Sequence, residues 1–269
     1  MKTYLLLSSF LLSFRSLLSQ PNCNVFLWEG DSAQYQACKL LEDHLSKHYQ
    51  FSREFHKLLD SAIQICPHFA FAYREKAAPY VKTGNFIEWK KNIDLAVKYD
   101  TLSFLPVRAS LRYKFFADYL GAIQDIELLE KKIKNDIGYT SNGTYHLTVI
   151  KALCYKQIGQ VSKAIQILES FVQRKNYMTG QYDYLHLGVM YLNVQNINKA
   201  EKYLLLQNKH YEIAESNFYL AQIYKNCGQI DVMNTYKQKA IQLYKKNQRM
   251  NDNYNHLIDQ MDERQINQL

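Results

Sequence analysis

Turn-forming residues are scarce in this chain: 9 glycines and 4 prolines in 269 residues. A sandwich or barrel needs a tight turn every few residues, and so few breakers exclude that class and favour helices joined by short connections. Cysteines number 5, and none has the C-x-x-C spacing of a zinc site or a thioredoxin-like redox pair. The G-x-S-x-G elbow, the phosphate loop, the dinucleotide fingerprint and the H-E-x-x-H metalloprotease helix are all missing. His44 and His48 share a helix face, but the residues between them are Leu45, Ser46 and Lys47, with no glutamate and no third ligand in view. Nothing in the sequence therefore requires a cofactor or a metal, and no catalytic residue is assigned. Long apolar runs are also lacking. The longest, from Tyr4 to Phe14, is broken by Arg15 and falls short of the roughly 20 residues that cross a bilayer.

That run is informative all the same. An early lysine, an apolar stretch and a Ser-rich end at Gln20 read as a secretory leader over residues 1–20. The expectation is an extracytoplasmic protein, periplasmic or secreted, with no transmembrane anchor after the leader is removed. Cys23 and Cys38 are the cysteines placed to pair in such a compartment, closing a loop of about 15 residues worth about 3 kcal/mol. The formal charge of +8 falls to +6 without Lys2 and Arg15 of the leader. The excess is spread along the chain rather than gathered in a stripe, which argues against nucleic acid as a partner. A hydrophobic content of 47% is ample for a sizeable core.

A spacing then recurs. Ala77, Ser110, Ala152, Gly188 and Ala221 are each followed three residues later by a tyrosine: Tyr80, Tyr113, Tyr155, Tyr191 and Tyr224. Four residues beyond each tyrosine stand Gly84, Ala117, Gly159, Gln195 and Gly228, and further on Trp89, Ala122, Ala164, Ala200 and Met233. Starts separated by 33, 42, 36 and 33 residues describe a two-helix unit stacked on copies of itself. The small residue lets two helices cross closely, and the glycine ends the first helix in a left-handed conformation.

Leu187-Gly188-x-x-Tyr191 with a later Ala200 resembles the tetratricopeptide repeat. The leader, together with YREKAAPYVKTGNFIEWKK and YHLTVIKALCYKQIG, is similar to small exported tetratricopeptide proteins of Bacteroidetes-type bacteria. The resemblance implies an all-α, right-handed superhelical solenoid of helix-turn-helix repeats. Its divisions would be an irregular helical pair over residues 21–68, about five repeats over 69–246, and a capping helix and tail over 247–269. Tyr254, Leu257, Ile258 and Met261 follow helical spacing and are expected to form that cap.

The resemblance also implies a function. Tetratricopeptide arrays present their first helices on a concave face that binds peptides. Here that face maps to Arg74, then Val107, Leu111 and Lys114, then Val149, Leu153 and Lys156, then Leu185, Val189 and Leu192, and finally Phe218, Gln222 and Lys225. The expected activity is a scaffold or adaptor that holds a protein or peptide partner. Ala78, Val107 and Leu111 stand where a carboxylate clamp for chaperone termini would need cations, which argues against that specialisation. An insertion at residues 135–146 brings Tyr139, Tyr145 and His146 toward Tyr182, Tyr184 and His186, either as a recognition rim or as filling between repeats. Two alternatives stay open: a structural subunit of an envelope or secreted assembly whose groove is filled by its own chain, and an enzyme or small-ligand binder using the tyrosine- and histidine-rich rim.

Overall fold

The computed structural model describes residues 20–268, so all of the leader except Gln20 lies outside the described residues. Among them the chain forms fourteen α-helices and no β-strand, with one isolated bridge between Tyr139 and His146. The helices are α1 (Cys23–Trp28), α2 (Ser32–His44), α3 (Arg53–Ile65), α4 (Ala70–Lys82), α5 (Phe86–Tyr99), α6 (Thr101–Phe116) and α7 (Tyr119–Lys132). They continue as α8 (Leu147–Gln157), α9 (Val161–Val172), α10 (Asp183–Asn193), α11 (Ile197–His210), α12 (Ala214–Asn226), α13 (Ile230–Lys245) and α14 (Glu263–Asn267). They divide into two units, residues 20–79 with 88–99, and residues 80–87 with 100–268.

In the smaller unit α1 packs on α2 and α2 on α3. A disulfide joins Cys23 in α1 to Cys38 in α2, with the Cα atoms 5.5 Å apart. Asp31 caps α2 by accepting from the amide of Gln34, and its other oxygen lies 3.2 Å from Nε2 of His68. The buried stripe of α3, Phe55, Leu59 and Ala62, keeps helical spacing and has almost no exposed surface. Trp89, which stands where the repeat usually holds alanine, is completely buried.

In the larger unit consecutive helices pair as α6 with α7, α8 with α9, α10 with α11 and α12 with α13. Each second helix packs on the next first helix, and the first helices α6, α8, α10 and α12 neighbour one another to form one face. The recurring small residue has a visible cause. A Cβ built on Gly188 would lie 2.7 Å from Cγ of Leu204 and 3.3 Å from the Ala200 carbonyl, so only glycine lets α10 and α11 approach this closely. Ser110 is tolerated at the equivalent place because its hydroxyl donates to the Pro106 carbonyl at 2.8 Å.

The recurring tyrosine does more than fill a seam. Its carbonyl accepts the amide five residues on, as in Tyr155 to Gln160, Tyr191 to Asn196 and Tyr224 to Gln229, wrapping the helix end around a residue of positive φ. That residue is Gly159 (φ 81), Gln195 (φ 58) or Gly228 (φ 71). Its hydroxyl reaches the preceding repeat, where Tyr155 donates to Glu127 at 2.7 Å and Tyr224 donates to Glu201. Tyr191 is bridged to Glu169 by Lys199, 2.9 Å from the phenol and 3.1 Å from the carboxylate. Glu127 and Glu130 thus serve as anchors between repeats, the latter for Lys151.

The end of the chain differs from the expected form. Tyr254, Leu257, Ile258 and Met261 lie in an irregular segment, and the closing helix is the short α14 that follows. Side chains take the backbone donors that a helix would use. Asp252 accepts from the amides of Tyr254 and Asn255, Gln260 accepts from that of Leu257, and Asp259 adopts φ 68. The helix begins only where Asp262 and Gln265 form a reciprocal capping box. Ile266 of α14 then joins Ala214, Phe218, Ala240, Leu243 and Met261 in one apolar cluster.

Candidate functional site

The irregular segment, residues 248–262, runs as a strap over the first-helix face of the larger unit. It is tied down from its start. The Gln248 carbonyl accepts the Ala214 amide at 3.0 Å, and the Met250 amide donates to both oxygens of Glu215 at 3.1 Å. Lys114 of α6 then meets Asp252 at 2.6 Å, while its carbonyl accepts from the side chain of Asn255. Lys114 also lies over the Tyr254 ring, 5.6 Å from its centre. Farther on, Asp259 is held by Lys156 of α8 and by Nδ1 of His186 of α10 at 2.7 Å. Met250, Leu257 and Met261 are the buried apolar points of the strap, whereas Tyr254 is 76% exposed.

The chemistry around Asp259 is ordered. An ionised carboxylate only accepts, so Nδ1 of His186 carries the proton, and in the neutral imidazole Nε2 accepts from the hydroxyl of Tyr145, 3.1 Å away. Burial pushes the Asp259 carboxyl up, but the His186 hydrogen bond and the Lys156 charge outweigh it and hold the group below its ordinary value. Asp252 behaves alike: burial raises it and Lys114 pulls it lower. Burial pushes Glu215 up to about 7 against the opposing amide of Met250 and the weaker pull of the Arg249 charge. Burial likewise raises the Tyr145 phenol.

The residues mapped to the concave face fall into four groups. Lys114 and Lys156 bind the strap. Val149, Leu153 and Leu185 have no exposed surface and Val189 has little, while Val107, Leu111 and Leu192 are half-buried. Phe218, Gln222 and Lys225 come together with Met261, Gln265 and Gln268 around an open cleft of about 500 Å³ between α12 and the end of the chain. Arg74 belongs to the smaller unit, where it pairs with the buried Glu75.

The residues of the tyrosine- and histidine-rich set are mostly interior. Tyr145, His146, Tyr182 and His186 are buried, Tyr184 is half-buried, and Tyr139 is the exposed member. His146 caps α8 by accepting the Thr148 amide at Nδ1 and donates from Nε2 to Asp136. Its ring packs 4.5 Å from that of Phe171, so the insertion fills the space beside α8 and α9. Among the described residues no group of three His, Cys, Asp or Glu side chains is placed to hold a metal.

Sequence reasoning missed Glu215, Asp252, Asn255 and Asp259. Lys114 and Asp252 are 138 residues apart, Lys156 and Asp259 103, so no local pattern announces them. The apolar stripe of Tyr254, Leu257, Ile258 and Met261 gave no warning either, because Asp252, Asn255 and Asp259 stand beside it and leave its helical spacing intact.

Solved structures similar to this chain include PilF and PilW. PilF of Pseudomonas aeruginosa aligns with a TM-score of 0.56 and 16% identity over 80% of this chain and 93% of its own. PilW, a type IV pilus biogenesis factor, aligns with a TM-score of 0.55 and 12% identity over 80% of this chain and 94% of its own. The fold is tetratricopeptide-like. No protein-family model and no curated protein matches the sequence. At this identity the likeness extends to the tetratricopeptide-like architecture and not to the task.

Proposed function

We propose that this protein is an exported interaction scaffold, without chemistry of its own, that holds an extended segment of a protein partner on the first-helix face of its larger unit. The observation that carries this reading is the strap. It lies on that face as an irregular chain and is gripped by side chains from successive first helices, Lys114, Lys156 and His186. The Cys23–Cys38 disulfide and the leader read in the sequence support export. Cell fractionation with thiol-labelling of Cys23 and Cys38 tests it: export predicts an oxidised pair in an extracytoplasmic fraction, and a cytoplasmic, fully reduced chain contradicts it.

A second reading, a structural subunit whose face is permanently filled, is favoured by the burial of Met250, Leu257 and Met261 under and along the strap. Photo-crosslinking in the native host separates the two. A crosslinker at Val107 or Gln222, on first helices, captures the partner of a face-binding scaffold, whereas one at Leu128 or Leu205, exposed on α7 and α11, captures the neighbour of a filled subunit. Capture from Leu128 and Leu205 alone removes the face-binding reading.

A further inference from the structure

The strap carries more information than its presence. Its polar grip is concentrated at two carboxylates seven residues apart, Asp252 and Asp259, each nearly closed off from solvent, at 12% and 6% side-chain exposure. They meet donors from three consecutive first helices: the ammonium groups of Lys114 of α6 and Lys156 of α8 and the Nδ1–H of His186 of α10. Between them Asn253, Tyr254 and His256 face outward. A face that offers donors in this register, without the strap, presents Lys114, Lys156 and the Nδ1–H of His186 in want of acceptors, and a charge-assisted hydrogen bond to a carboxylate is the strongest replacement available to them.

We infer that the face is selective for an extended protein segment bearing two carboxylates about seven residues apart, and that the chain's own strap is the resident form of that ligand. This rests on the scaffold reading above and adds the chemistry of the partner. The strap follows α13 directly through Asn247, so it is presented at the effective concentration of a short tether, on the order of millimolar. A free partner at micromolar concentration must therefore bind about a thousand-fold more tightly than the strap sequence does by itself. The strap sets a threshold, and Asp252 and Asp259 set its height.

The test uses the full chain and a labelled synthetic peptide of residues 248–262, read by fluorescence anisotropy, with hydrogen exchange reporting whether the resident strap is docked. Wild type is compared with Asp252→Asn plus Asp259→Asn, and with Asp252→Asn alone in case the buried Asp259 is needed for folding. The expected result is a loosened strap in the variants, native peptide binding to them at least about ten-fold more tightly than to wild type, and at least about ten-fold weaker binding of a peptide with both aspartates changed to asparagine. Equal binding of the native and asparagine peptides overturns the carboxylate selectivity while leaving the face as a peptide site. A variant whose strap stays fully protected shows that the carboxylates do not hold it, which also overturns the inference. A loosened strap with no peptide binding up to about 1 mM removes the peptide-binding reading itself.

Discussion

Gly188 packs against Leu204 so closely that any side chain must displace it. Gly188→Ala gains helix propensity, yet overpacking of the α10–α11 seam costs more, and we predict a net loss of about 1–3 kcal/mol in urea unfolding. Ala117 and Gln195 present the opposite case. Both occupy the left-handed turn that glycine fills in other repeats, with φ 49 and 58. Replacing either with glycine relieves about 1–2 kcal/mol of left-handed strain against a smaller entropic cost, and a gain of about 0.5–1 kcal/mol is expected in the same assay. Glu215 gives a pH signature. Its folded pKa of about 7 lies above the ordinary 4.5, so the folded state binds this proton more tightly than the unfolded one. Its contribution is fully present below pH 4.5 and is lost as pH rises through about 7. Wild type should lose stability across that window relative to Glu215→Gln, and parallel curves for the two proteins would rule this out.

At the scale of the element, the repeats were legible because their code is local. A small residue, a tyrosine three later and a turn residue four beyond that act within one helix and its turn, so the spacing of Tyr155 and Gly159 announces α8 and its end. The tyrosine clasps were not legible, since the partners Glu127, Glu169 and Glu201 belong to the preceding repeat and look like surface charges. A double-mutant cycle on Tyr155→Phe and Glu127→Gln should return a coupling of about 0.5–1.5 kcal/mol, and additivity would reduce the clasp to packing. The strap was read as a helix because Tyr254, Leu257, Ile258 and Met261 keep helical spacing. What defeated that pattern is side-chain competition for the backbone: Asp252 and Gln260 accept the amides of Tyr254, Asn255 and Leu257. Acid should not release it early. Asp252 and Asp259 are held below 3.8, so their ion pairs are present above that value and are lost as pH falls beneath it.

For the whole molecule, the fold class follows from residue patterns, while the site depends on contacts that span more than a hundred residues of sequence. Lys114 and Lys156 stand on first helices, where the repeat spacing places them. Their partners carry no such mark, because nothing in a sequence states where an irregular segment lies down. The claim that joins fold to function is that residues 248–262 occupy the first-helix face through Asp252 and Asp259. Hydrogen–deuterium exchange on the intact wild-type chain and on Asp252→Asn tests it in one experiment. We predict that the amides of Met250 and Leu257 are protected in wild type and exchange at least about ten-fold faster in the variant, with α10 and α11 unchanged. Exchange of the wild-type segment at the rate of a free peptide would contradict the claim.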